Sequence, residues 1–421
     1  MRITYGDCLH VYSNVGKMDY TVRLCLKLDE NIDGQLLGEA LEKTSARYPY
    51  LCVRLRKNDK EFYYGENKLP VCLINTDKKI SLNSNESNYH VWAICYKDDY
   101  LYFDFYHGLC DGNGMYKVLE TLLYYYILQK YGKCDANGVR TLDVPFDERE
   151  CADPIDSLPD LDPELLKGSA PNFESAFSVI KEGSAKESSK HYIKDVIVPE
   201  KELLKYTSAN DASPGTFFTV ILARAIDSVN PVRDKKIMGG YVLNARPMLG
   251  NTYSHHNCVN QIGFEYSDKM KNMPFDRQCT VMRGLTFLQS DQDIVAQKMM
   301  GMKAGTKLMM QIPTLEGKRE AFYSRVHGTN DVSTFNVSYV GQWKNKDIGS
   351  HIKEFWTHVP GIKPFLLELA AVNGNVYMSL HQNFEEDIYY KAILKQLEQA
   401  GIPYQEVQSE ESDIAHFMDV E

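Results

Sequence analysis

The stretch Phe103-Asp104-Phe105-Tyr106-His107-Gly108-Leu109-Cys110-Asp111-Gly112-Asn113-Gly114 constrains this chain more than any other. Apolar and aromatic residues alternate up to His107 and predict a strand with Leu101, Phe103, Phe105 and His107 on one face. Met115, Val118, Leu119, Leu122, Leu123 and Tyr126 then recur at helical spacing, so a helix begins just after Gly112. The glycines between let the backbone turn tightly or approach a ligand closely. Asp111 stands where a helix N-cap belongs, and the first helical amides face any negative charge nearby. An imidazole ending an apolar strand face is partly desolvated, which disfavours its charged form and leaves a base near neutral pH. A core histidine beside a capping aspartate is the plainer reading, and the rest of the chain has to decide.

With 421 residues, 43% hydrophobic and 25% charged, the chain has the composition of a globular protein of more than one domain. Its 47 basic and 57 acidic residues give a net charge of −10, which argues against a nucleic-acid binder. No apolar run approaches the ~18 residues of a membrane span. The N-terminus lacks an apolar signal core, so a cytoplasmic, soluble protein is expected. The ten cysteines include no C-x-x-C pair and sit mostly in apolar runs, as Cys25 does. Reduced, buried cysteine and no metal are the expectation. The adjacent His255 and His256 lie in a polar stretch and read as loop, and Arg233-Asp234-Lys235-Lys236 reads as a solvated turn.

Periodicity predicts strands at Tyr20 to Leu28, Tyr89 to Tyr96 and Tyr100 to His107, a helix from Asp33 to Tyr48, and a hairpin from Leu51 to Tyr64. From Gly132 to Ser189 the texture changes. Pro145, Pro154, Pro159, Pro163 and Pro171 punctuate an acidic stretch that is either a linker or a loop packed on the surface. A boundary placed there divides the chain into residues 1–170 and 171–421. Beyond it come strands at His191 to Val198, Ile237 to Leu243 and Thr334 to Val340, and helices at Thr216 to Ser228 and Asp291 to Met300. A hairpin follows around Val372-Asn373-Gly374, and a closing helix from Ile388 to Gln399. Strands and helices mix with too few β-α-β alternations for a doubly wound sheet.

His107-x-x-x-Asp111-Gly112 resembles the core of the HHxxxDG motif of the chloramphenicol acetyltransferase-like acyltransferases. That group includes condensation domains and alcohol acetyltransferases. Arg47-Tyr48-Pro49-Tyr50-Leu51 is similar to the family's RYP-L passage. Ser213-Pro214-Gly215-Thr216 then leads into a helix, and Gly239 to Pro247 resembles the family's strand ending in an arginine, here Arg246. Asn336-Val337-Ser338-Tyr339-Val340-Gly341 is similar to the later SY-G passage. The landmarks keep their order along nearly the whole chain. Tyr106 replaces the motif's first histidine, and there is no DFGWG, so the plant subgroup does not fit.

The resemblance implies an α/β chain of the α+β type, with two lobes, each a mixed sheet flanked by helices, and a tunnel between them. It implies acyl transfer from a thioester to an alcohol or amine. His107 would be the general base, and the Gly112 amide would meet the oxyanion. Asp111 paired with Arg246 would hold the turn. Tyr106, Asn244, Ser338 and Tyr339 become candidates for the tunnel wall. No resident cofactor or metal is implied. A coenzyme A or phosphopantetheine thioester would be co-substrate, and the partners would be a small-molecule acceptor and, for a carrier-bound donor, an acyl carrier protein. A condensation-type enzyme and a catalytically silent member of the fold stand as the alternatives. Cys110, close behind His107, reads as a packing thiol rather than a nucleophile.

Overall fold

The computed structural model describes residues 2–14, 20–161, 175–327, 332–359, 365–407, 410–413 and 420. Its first sheet runs in the order Ile352–His358, Thr21–Leu28, Tyr100–Tyr106, Trp92–Lys97, Leu73–Asn75. Pairing is antiparallel except at the Leu73–Asn75 edge. The second runs Gln405–Glu406, Glu187–Pro199, Asn375–Phe384, Phe365–Val372, Phe335–Gln342, Ile237–Asn244, Val259–Tyr266, with Glu410–Asp413 also pairing to Glu187–Pro199. In it Phe335–Gln342 lies parallel to both neighbours, and the other pairs are antiparallel. Val53–Lys57 and Phe62–Glu66 form a separate hairpin. Both large sheets are mixed, as the expected architecture requires.

Local chemistry accounts for the elements around the motif. Asp33 caps the helix Gly34–Arg47, accepting from the amides of Gln35 and Leu36, and Leu37, Ala40, Leu41 and Thr44 form its buried stripe. Asp111 caps the motif helix Gly112–Tyr131, which ends at Gly132 in the left-handed region (φ 75°). The motif strand is covered on both faces. Leu101, Phe103 and Phe105 fill one side, while on the other Asp104 is buried because Arg23 on the neighbouring strand binds it bidentately, both bonds at 2.7 Å.

Two apolar cores meet along one strand. In Phe365–Val372, Leu366, Ala370 and Val372 pack into the core of the first sheet, while Phe365, Leu367, Leu369 and Ala371 pack into that of the second. Ile352–His358, from the late part of the chain, pairs with Thr21–Leu28 and completes the first sheet. The expected boundary at residues 170 and 171, with Pro163 and Pro171, lies outside the described residues. The preceding loop is packed rather than free, because Glu150 and Ile155 on it are buried. Among the described residues, no helix is long and apolar enough to cross a membrane. All ten cysteines are free.

Candidate active site

The motif strand stops at Tyr106, and the turn through His107 and Gly108 delivers the chain to Asp111 and the helix. The His107 amide donates to the Tyr20 carbonyl (2.8 Å), a last rung holding the turn to the neighbouring strand. The residue remains partly accessible, yet its ring is enclosed enough for burial to push the imidazole pKa down. Its own carbonyl, Asp111, the Asn257 side chain and Asp7 pull the other way without reversing the shift. His107 is therefore neutral around pH 7.

Asp111 is buried and fully engaged. Oδ1 accepts from the Gly114 amide (3.0 Å) and from Arg246 Nη2 (2.7 Å), and Oδ2 accepts from the Cys258 amide (3.0 Å). Arg246 follows the strand Ile237–Asn244 and is buried too. Its guanidinium also donates to the carbonyls of Ser254 (2.7 Å), His255 (3.4 Å) and His256. The pair thus ties the motif turn to the loop 254–258 of the second half.

That loop carries side chains that sequence reasoning did not single out for the site. Asn257 Nδ2 donates to the His107 carbonyl (2.8 Å) and to Asp7 Oδ1 (2.8 Å). Asp7, wholly buried on the helix Tyr5–Ser13, also accepts from the Asn257 amide and faces His256 Nδ1 at 2.7 Å. His255 Nδ1 donates to the Gly114 carbonyl (2.8 Å), while its Nε2 receives Arg140 at 3.0 Å. Burial lowers the His255 pKa to about 4, so it is a neutral, one-tautomer spacer. The histidine pair is a loop, as expected, but an interior one. The Thr4-x-x-Asp7 capping box was the one available hint to Asp7.

The remaining candidates separate. Gly112 starts the helix opposite Val340, and no acceptor pairs with its amide among the described residues. Asn244 Oδ1 is used internally, accepting from the amide and Nη1 of Arg246, both at 3.1 Å. Tyr106 has no exposed surface and donates to the His10 carbonyl (3.3 Å), so it stands behind the site rather than along a wall. Ser338 and Tyr339 point to opposite sides. Tyr339 packs against the second core, whereas Ser338 bonds the Glu368 carboxyl, whose pKa burial raises to about 8. Cys110 is fully buried and its thiol is pushed well above the usual range, which removes the thiolate a nucleophile needs. The Arg233 to Lys236 cluster is spent on local ion pairs, Arg233 with Asp227 and Lys235 with Glu182.

Beside the helix start a cleft of about 100 Å³ lies between the two halves. Asn113, Tyr116 and Lys117 line it from the motif helix, and Val340 and Trp343 line it from the end of Phe335–Gln342 and the residue after it. Tyr116 Oη reaches Thr357 Oγ1 at 3.2 Å across the same junction.

No family model matches the chain, and no curated protein matches it in sequence. Solved structures do match it in shape. The F. graminearum TRI101 complex with coenzyme A and deoxynivalenol is 11% identical, with a TM-score of 0.64 over 97% of this chain and 100% of that one. Polyketide synthase associated protein 5 from Mycobacterium tuberculosis is 11% identical, with a TM-score of 0.63 over 94% and 96%. The first condensation domain of the CDA synthetase is 12% identical, with a TM-score of 0.58 over 95% and 94%. Over nearly its whole length, the chain has the fold of the chloramphenicol acetyltransferase-like acyltransferases and condensation domains.

Proposed function

We propose that this chain transfers an acyl group from a thioester, acyl-coenzyme A in the first instance, to the hydroxyl or amine of a small acceptor. The observation that carries this reading is a neutral, partly accessible His107 fixed at the turn into a helix whose first amide has no partner among the described residues. Such an imidazole takes the acceptor's proton as the acceptor oxygen or nitrogen attacks the thioester carbonyl. The Gly112 amide meets the developing oxyanion. Collapse of the tetrahedral intermediate breaks the carbon–sulfur bond, and the proton on His107 passes to the leaving thiolate. No covalent acyl-enzyme is needed, because donor, acceptor and base share one site. Asp111 and Arg246 hold the turn that aims His107.

Residues 1–170 and 171–421 are read as the two lobes, with Ile352–His358 crossing back into the first sheet. Ten free cysteines suit a reducing compartment, which supports the cytoplasm as the setting of the reaction. Likeness to a condensation domain supports a second donor, a phosphopantetheine thioester on an acyl carrier protein. Thiol release is measured with a panel of acyl-coenzyme A esters and carrier-bound thioesters, with and without alcohols and amines. Acceptor-dependent release that falls about 10²–10⁴-fold in His107→Ala is expected. Release from carrier-bound thioesters alone selects the condensation-type reading. No acceptor-dependent release from either donor, or full activity in His107→Ala, overturns the proposal.

A further inference from the structure

A histidine base works only if its ring is held with one nitrogen toward the acceptor. The imidazole torsion is broad, so some contact must fix the plane. In catalytic triads a third group does this by bonding the far nitrogen. No carboxylate does this for His107: its buried Nδ1 has only the residue's own carbonyl and the Asn257 side chain beside it. Asp111, the nearest candidate in sequence, is committed to Arg246 and two backbone amides.

What the His107 ring does have is a stacked neighbour. The His10 ring lies 4.1 Å from it, centroid to centroid, with 22° between the planes. His10 is itself braced. Its ring meets Tyr20 edge-on at 5.9 Å, and its carbonyl receives the Tyr106 hydroxyl. The helix that carries it, Tyr5–Ser13, is anchored one turn earlier by Asp7 to Asn257, the residue that also holds the His107 carbonyl. Backbone and ring of the base are thus both fixed from this helix, the first through Asn257 and the second through His10.

We infer that His10 is a positioning residue, a ring plate that sets the plane of His107 in place of a bonded carboxylate and leaves Nε2 for the acceptor. This rests on the acyl-transfer reading for its catalytic consequence, but the clamp itself is a property of the folded chain. The role needs a flat face, and the histidine's protons are dispensable to it.

The test compares wild type with His10→Ala, His10→Leu and His10→Phe. In acyl transfer, His10→Ala and His10→Leu should lower kcat about tenfold or more, with the acceptor KM and the melting temperature little changed. His10→Phe should recover most of the loss, because it restores a stacked face. Unchanged kcat in His10→Ala, or recovery by leucine as good as by phenylalanine, overturns the inference. A second measurement does not use activity. With ¹³C-labelled histidine, the His107 ring signal, identified by its absence in His107→Ala, should lose its ring-current shift in His10→Ala and keep it in His10→Phe. An unmoved signal in His10→Ala overturns the clamp even if no thioester proves to be a substrate. Loss of the shift in a chain that transfers no acyl group retains the clamp and removes only the functional reading.

Discussion

At the scale of single residues, burial decides how His107 titrates. Its pKa lies below the ordinary 6.5, with burial the largest influence and Asp111, Asn257 and Asp7 opposing it. The proposed base must be unprotonated, so on that reading activity is lost as pH falls through this lowered pKa and is complete above it. The acid limb of kcat/KM should therefore bend below pH 6.5 and stay flat above about pH 7, where an unperturbed histidine would still be titrating. A profile still rising between about pH 7 and 8 would count against His107 as the base. His107, Asp111 and the helix start were legible because they fall within a few positions of one another, where alternation, capping and glycine each leave a mark. His10, Asp7 and Asn257 were not. They reach the same turn from some hundred residues before it or a hundred and fifty after it, and no periodicity ties such positions together. Tyr106 shows the opposite failure. Its neighbourhood to His107 in sequence suggested a place on the wall, yet strand alternation sends the two side chains apart, and Tyr106 ends in packed core.

Elements meet at this site closely enough for glycine to matter. The motif helix lies against the loop 254–258 so tightly that a Cβ on Gly114 would run into the His255 carbonyl, and one on Gly6 would run into the Asn257 carbonyl. Gly114 is helical, and neither residue has a positive φ, so what is needed here is space and not a special backbone conformation. Gly114→Ala should accordingly destabilise the chain by about 1–3 kcal/mol in a denaturant titration, despite alanine's better helix propensity. A stabilised Gly114→Ala would show that the loop stands off from the helix. Most long elements were readable from their own periodicity, including the strand Thr21–Leu28, the helix Gly34–Arg47 and the final hairpin Phe365–Phe384. Others leave little or no such mark in the sequence. Leu315–His327 is charged around much of its surface and shows almost no apolar stripe, so its helix is set by what it packs on. Ile352–His358 is short, and its pattern is disturbed because one edge pairs with a strand more than three hundred residues earlier. Val259–Tyr266 does alternate, with Ile262, Phe264 and Tyr266 inward, but Gly263 within it weakens the signal.

For the whole molecule, the question is what makes two cores behave as one folded unit. They share the strand Phe365–Val372, and the first sheet is completed by Ile352–His358, so neither half is independent. The Asp111–Arg246 bond crosses the same junction at 2.7 Å with both side chains almost fully shielded from water. Its energetics follow from that shielding. Removing one member of a buried pair leaves the other charge without its counter-ion and costs ~3–5 kcal/mol. Arg246→Ala also strands the carbonyls of Ser254, His255 and His256, whereas Asp111→Ala also loses the helix cap and the Cys258 amide bond. Each single variant should therefore lower both the melting temperature and the rate, because the turn that aims His107 is loosened from either side. The double variant should be less damaged than the summed singles by about 1 kcal/mol or more, the mark of direct coupling in a mutant cycle. His107→Ala belongs to a different class and should lose rate while largely keeping its melting temperature, since its ring carries no ion pair across the junction. Denaturant unfolding of the four chains of the cycle measures the coupling. Strictly additive losses would mean that the two residues support separate structures, and that the junction is held by packing alone.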